Sequence, residues 1–102
     1  MKTIYIKDFS RFPGPRYKNL GEFSGEEFRD DILIPEIEKN NGDIEVNLDG
    51  VFGYGSSFLE ETFGGLARHG VDKNLILKLR DNITSNDESI KQEVISYIND
   101  SL

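Results

Sequence analysis

The stretch from Ile44 to His69, IEVNLDGVFGYGSSFLEETFGGLARH, constrains the fold more than any other part of the chain. Ile44, Val46 and Leu48 alternate with Glu45, Asn47 and Asp49, the period-two pattern of a strand with one covered face. Asp49-Gly50 and Gly53-Tyr54-Gly55 then mark a glycine-bearing turn. Ser57 and Glu60 fit the S-x-x-E capping box, which predicts a helix start with Ser57 as its cap. Phe58, Leu59, Thr62, Phe63, Leu66 and Ala67 recur at helical spacing and give a wide apolar stripe. Glu60 and Glu61 suit the positive end of that helix, Arg68 and His69 its negative end, and Gly70 its stop.

The flanking segments read as further strands and helices. Thr3 to Lys7 is expected to be a first strand, with Ile4 and Ile6 on one face. Asp8 to Leu20 contains Pro13-Gly14-Pro15 and reads as a loop. Ser24 to Glu27 is a capping box for a helix running to about Lys39, which Pro35 should kink or split. Asn40-Asn41-Gly42-Asp43 is a stop and turn. Leu75, Leu77 and Leu79 alternate with Ile76, Lys78 and Arg80, so Asn74 to Arg80 is expected to be the third strand. Ser85 to Glu88 is a third capping box, opening a helix with Ile90, Val94, Ile95 and Ile98 on one stripe. Strands separated by helices predict an α/β fold, a small largely parallel sheet in one domain over residues 1–102. The alternation of the strands predicts helices mainly on one face, because a sheet covered on both faces carries continuously apolar strands.

Composition removes several classes of function. The net charge of −7 gives no excess of cations to replace phosphate counterions, which disfavours nucleic acid and an anionic membrane surface. Without cysteine, disulfides, thiolate nucleophiles and cysteine zinc sites are excluded. No apolar run approaches a membrane span, and MKTIYIKDF lacks the apolar core of a signal peptide, so a cytoplasmic protein is expected. His69 is the only histidine and has no acidic cluster at ligand spacing, so no metal is expected. It would lie about 18 Å along the helix from Ser57, out of reach for a catalytic dyad.

The candidate site is the turn and helix start, Gly53 to Glu61. Capping accounts for Ser57 but not for Ser56 or for the two glycines before it. Ser56 then reads as an exposed hydroxyl, and a phosphate there would meet a helix N-terminus. Phe52 is expected in the core, and Tyr54 is either packed or an exposed anchor for a partner. Arg16, in the proline-rich loop, is either a solvated charge or turned inward to hold a carboxylate or an anion. Gly64-Gly65 in mid-helix calls for close helix-on-sheet packing or a groove for a partner helix. The neighbouring carboxylates Glu26-Glu27, Asp30-Asp31 and Glu60-Glu61 read as solvated or capping charge.

L-D-G-V at 48–51, a turn, and S-S before an apolar helix resemble the STAS domains of anti-sigma factor antagonists. In that pattern an acidic residue precedes two serines and a glycine follows; here Gly55 and Phe58 stand at those places. GPR at 14–16, SGEEFR at 24–29 and GYGSSFLEETFGGLAR at 53–68 are similar to the STAS-like family of uncharacterised bacterial domains. The resemblance implies a STAS fold and a non-enzymatic regulatory module that binds a protein partner, a kinase-like ATPase in the antagonist systems. It places a switching phosphoserine at Ser56 or Ser57. Arg16, Gly53, Tyr54, Gly55, Ser56, Ser57, Glu60 and Glu61 are then the candidate binding residues, with no cofactor. The competing reading is a binding domain or small enzyme for a phosphate-bearing or nucleotide ligand at the same helix N-terminus, with Arg16 completing an anion site. G-x-G-S-S lacks the lysine and the spacing of a P-loop or dinucleotide fingerprint.

Overall fold

Three parallel strands in the order β1-β2-β3 form the sheet of the computed structural model, which describes residues 1–102. β1 is Lys2–Tyr5, β2 is Ile44–Asn47 and β3 is Ile83–Thr84. Ile4 sits opposite Val46, and Val46 opposite Ile83, so these three side chains share one face. That face is buried together with Ile44 and Leu48. Thr3, Glu45, Asn47 and Thr84 on the opposite face are only half-buried, and Tyr5 is exposed. Strands laid down in sequence by right-handed crossovers receive all their helices on the same side. The expected α/β sheet with one covered face is what forms.

The first strand is shorter than expected: the chain turns at Tyr5 into a single helical turn, α1, Ile6–Phe9. Ile6 is nonetheless fully buried, as the alternation requires. α2 is continuous but not uniform: Gly25–Phe28, a π-helical turn Arg29–Leu33, and Ile34–Lys39. Ser24 caps it, accepting from the Glu27 amide at 3.0 Å. The irregularity lies one turn before Pro35, where the proline leaves the Asp31 carbonyl without its usual α-helical donor. The Ile34 amide reaches back to the Arg29 carbonyl, the longer reach of a π turn.

α3 has the same construction: Ser56–Leu59, a π-helical turn Glu60–Gly64, and Gly65–Arg68. It ends as expected at Gly70, whose φ of +85° is left-handed, with the Val71 amide bonded to the Leu66 carbonyl at 3.1 Å. Lys73–Arg80 is not a strand but a helix, α4. Leu75, Ile76 and Leu79 recur at helical as well as alternate spacing, and Asp72 caps the first turn by accepting from the Asn74 amide at 2.8 Å. The third strand is the β-branched pair Ile83–Thr84 that follows. α5, Glu88–Ser101, is capped by Asp87 rather than Ser85. No helix is long and apolar enough to cross a membrane.

The two π-bearing helices meet closely at Gly25, where an added Cβ would stand 2.6 Å from the Phe58 carbonyl oxygen. Gly53 has open space around it. Gly25→Ala is therefore expected to lower the unfolding free energy by about 1–3 kcal/mol in urea titrations. Gly53→Ala should leave the urea midpoint unchanged.

Candidate functional site

The loop from Leu48 to Gly55 joins β2 to α3, and its base is pinned. The Tyr54 hydroxyl donates to the Leu48 carbonyl at 2.6 Å, and burial with the Asp49 charge nearby raises its pKa. Arg11 donates to the Gly50 carbonyl at 3.1 Å, and the Phe52 amide donates to the Arg11 carbonyl at 2.9 Å. Asp49 accepts from Ser85 Oγ at 3.1 Å and from the Asn86 amide at 2.9 Å, tying the exits of β2 and β3 together. Gly50, with φ +83°, is the left-handed residue of the turn; Gly53 and Gly55 are not.

Above that base the chain is open. Gly53, Gly55, Ser56 and Ser57 are exposed. Ser57 does not cap α3: the cap position is Gly55, and no side chain closes the helix start. The first loop-to-helix bond is from the Leu59 amide to the Gly55 carbonyl at 3.2 Å, so the amides before it are not held by the helix. Both serine hydroxyls stand at the first helical turn without a side-chain role in the fold.

Of the two aromatic expectations, the one for Phe52 is overturned and the alternatives for Tyr54 resolve to packing. Tyr54 is the packed residue, while Phe52 is 73% exposed. Phe52 stacks on Phe12, itself 70% exposed, with centroids 4.7 Å apart and planes 6° from parallel. The backbone bond from Phe52 to Arg11 holds this pair beside the loop. Phe12 is a residue that the linear pattern does not signal, because it lies in the proline-rich segment.

Glu60 and Glu61 are not solvated charge. Arg29 is 1% exposed, and its guanidinium pairs with Glu61, whose side chain is 5% exposed. The same group donates to the Glu61 carbonyl at 3.1 Å and to Asp30 at 2.9 Å. Arg16 turns inward and donates to Glu60 at 2.6 Å and Glu61 at 3.0 Å. Arg68 grips Glu60 with two nitrogens, at 2.7 and 3.0 Å. His69 Nε2 lies 3.4 Å from Arg29, and its Nδ1 lies 2.9 Å from the Gly65 carbonyl. Arginine only donates, so Nε2 is the acceptor and Nδ1 carries the proton.

Arg29 is the residue that sequence reasoning missed. Gly65 is its signature: a Cβ there would meet the guanidinium at 2.6 Å. Gly64 lies against Glu60 and Arg68 in the same way. The glycine pair therefore seats an ion cluster instead of the sheet or a partner helix. Every buried side-chain nitrogen and oxygen has a partner, so the buried part of the cluster is satisfied by its own members. No group of three histidine or acidic residues is placed to hold a metal.

The cluster sets two expectations. Breaking a buried pair leaves a charge without compensation, so Arg29→Met should cost about 3–5 kcal/mol in urea unfolding. The double variant Arg29→Met with Glu61→Leu should recover most of that loss. The Arg68 hydrogen bonds, opposed by burial and reinforced by Arg16, hold the Glu60 carboxyl down at about 2 from its ordinary 4.5. A depressed carboxyl stabilises the fold above its unfolded pKa and loses that contribution as pH falls through the folded one. Unfolding free energy should therefore decline between about pH 4.5 and 2, and Glu60→Gln should flatten that limb.

A family model described as a STAS-like domain of unknown function (DUF4325) matches residues 24–91. The match takes in α2, β2, the loop, α3, α4, β3 and the start of α5; β1, Phe12 and Arg16 precede it. Neither the comparison with curated proteins nor that with solved structures gives a match. With well over half of the chain inside the matched range, and with a parallel sheet covered on one face, the chain belongs to the family of STAS-like domains of unknown function, a membership that fits a regulatory interaction module in general terms.

Proposed function

We propose that the domain is a non-enzymatic switch that binds a protein partner through the Gly53–Ser57 tip and the Phe12–Phe52 pair, with phosphorylation at Ser56 or Ser57 releasing it. The observation that carries this reading is the joint exposure of two stacked phenylalanines and two uncommitted serines around one pinned loop. Exposed aromatic pairs are the kind of anchor that dominates binding energy. A phosphate on either serine would sit comfortably at the first turn of α3, because helix N-termini favour anions. The domain would keep its fold, while a partner docked there would meet nearly two added charges. By analogy with the antagonist systems, the partner is a kinase-like ATPase that also modifies the serine.

The roles of the site residues are narrower than the motif suggested. Glu61 is buried and Glu60 is held by two arginines, so both support α3 rather than touch a partner. Arg16 is engaged with the same carboxylates and is not aimed at the tip. The recess under the loop is lined by Asp49 and Asp87 beside Tyr54 and Ser85, which disfavours a phosphate-bearing ligand within that recess. The strand order runs without reversal, so the sheet lacks the switch-point crevice where α/β folds hold nucleotides.

The test is capture of partners by the tagged protein in its native host, with phosphate on the bait read by mass spectrometry. Wild type and Ser56→Ala should hold the same partner. Ser56→Glu should lose it, and Phe12→Ala with Phe52→Ala should weaken it by roughly thirtyfold or more. A partner held equally by all four, with no phosphate on either serine, would overturn the reading.

A further inference from the structure

The two edges of the sheet are unlike. β3 offers only Ile83 and Thr84, too short to template another strand. β1 offers four residues, KTIY, with no proline among them and a single charge, Lys2, at its start. Its outer side borders a groove lined by Asp8 and Phe9 of α1 and by Phe28, Ile32 and Glu36 of α2. No backbone hydrogen bond made outside the helices and strands reaches Lys2 to Tyr5.

The groups left free on this edge can be identified. Val46 gives its amide to the Asn82 carbonyl and Leu48 gives its amide to Thr84, so these residues of β2 face β3. Alternation then turns Glu45 and Asn47 toward β1, where they sit opposite Thr3 and Tyr5. In a parallel pair such residues bond to the neighbours of the residue opposite, so Thr3 and Tyr5 point their own groups outward. The Tyr5 carbonyl is at the cap of α1 and accepts its first bond. Thr3 N–H, Thr3 C=O and Tyr5 N–H remain.

We infer that a second copy of this chain docks on that edge, β1 against β1 and antiparallel about a two-fold axis, making one six-stranded sheet. A closed two-fold contact must be self-complementary, and about Ile4 the free Tyr5 N–H of each copy meets the free Thr3 C=O of the other. Antiparallel alignment sets the Lys2 end of each copy against the Asp8 end of the other, and both residues line the groove. It also sets the Thr3 and Tyr5 side chains of the two copies beside each other on the bare face, a β-branched and aromatic pairing that sheets favour. The groove carries both signs of charge, so a strand of uniform charge fits it less well. The contact lies outside the tip and the phenylalanine pair, and stands or falls apart from their role.

Sedimentation equilibrium of the full chain from about 10 µM to about 1 mM should show a reversible dimer, weak because the strand contact is small. The Tyr5 amide should gain protection from hydrogen exchange as concentration rises. Thr3→Pro gives up the Thr3 hydroxyl bond to Glu45 at 3.3 Å, but it sets a ring on the outer edge where the second strand must approach, and should give a folded monomer. Lys2→Glu alone and Asp8→Lys alone should each weaken self-association by roughly tenfold. An equimolar mixture of those two variants should restore it, since each then faces its opposite charge. A monomer across the whole range would overturn the inference, as would a dimer that Thr3→Pro leaves intact or a mixture no tighter than its components.

Discussion

The ion pair between Arg29 and Glu61 is the contact on which the arrangement of the helices depends. Two charges withdrawn from water are tolerated only when their remaining hydrogen-bonding capacity is met. Here Asp30, the Glu61 carbonyl and His69 complete Arg29, while Arg16 and Arg68 complete the carboxylates. Both partners sit in π-helical turns, one on each helix, and Gly65 clears the space between them. The crossing of α2 and α3 is thereby specified by directional polar contacts as well as by the Phe28–Phe58 packing beside it. Arg16 extends the cluster into the proline-rich loop, so the segment that carries Phe12 is anchored to the helix that carries the serines.

The consequence is a division of labour along α3. Its second turn is locked into the interior, and its first residues meet solvent. The sheet contributes no crevice, because its strands follow in order and its helices lie on one side. What projects from the fold is the loop tip, the stacked phenylalanines and the strand edge, and the proposed contacts are placed there. Loops held by a rigid scaffold are where binding residues concentrate.

Periodicity revealed the architecture because the strands of a sheet covered on one face must alternate. It failed at Asn74 to Arg80, where Leu75, Leu77 and Leu79 fit the strand period while Leu75, Ile76 and Leu79 fit the helical one, and the Asp72 cap decides for the helix. The serine pair and its glycines marked the tip from local pattern alone. Glu61 reads as solvated or capping charge in the sequence because adjacent residues on a helix diverge, and nothing nearby in sequence announces a partner 32 positions away. Gly65 was the available clue, since a glycine that costs helix stability must make room for something. The exposure of Phe52 has a similar origin: hydrophobicity alone places the phenylalanine inside, whereas the buried place at the loop base goes to Tyr54, whose hydroxyl bonds the Leu48 carbonyl.

The uncapped start of α3 has a kinetic meaning. A helix end whose first amides are unsecured frays at a small fraction of the global unfolding free energy, whereas the end locked by Arg29 opens only with the whole domain. Kinases and phosphatases act on extended backbone, and a helical serine is ordinarily hidden from them by its geometry. Fraying confined to Ser56 and Ser57 would present them in that extended form for brief intervals. On the proposed reading, the absent cap would make the serines accessible by lowering a local barrier, while the Arg29–Glu61 pair a few residues later holds the helix in place.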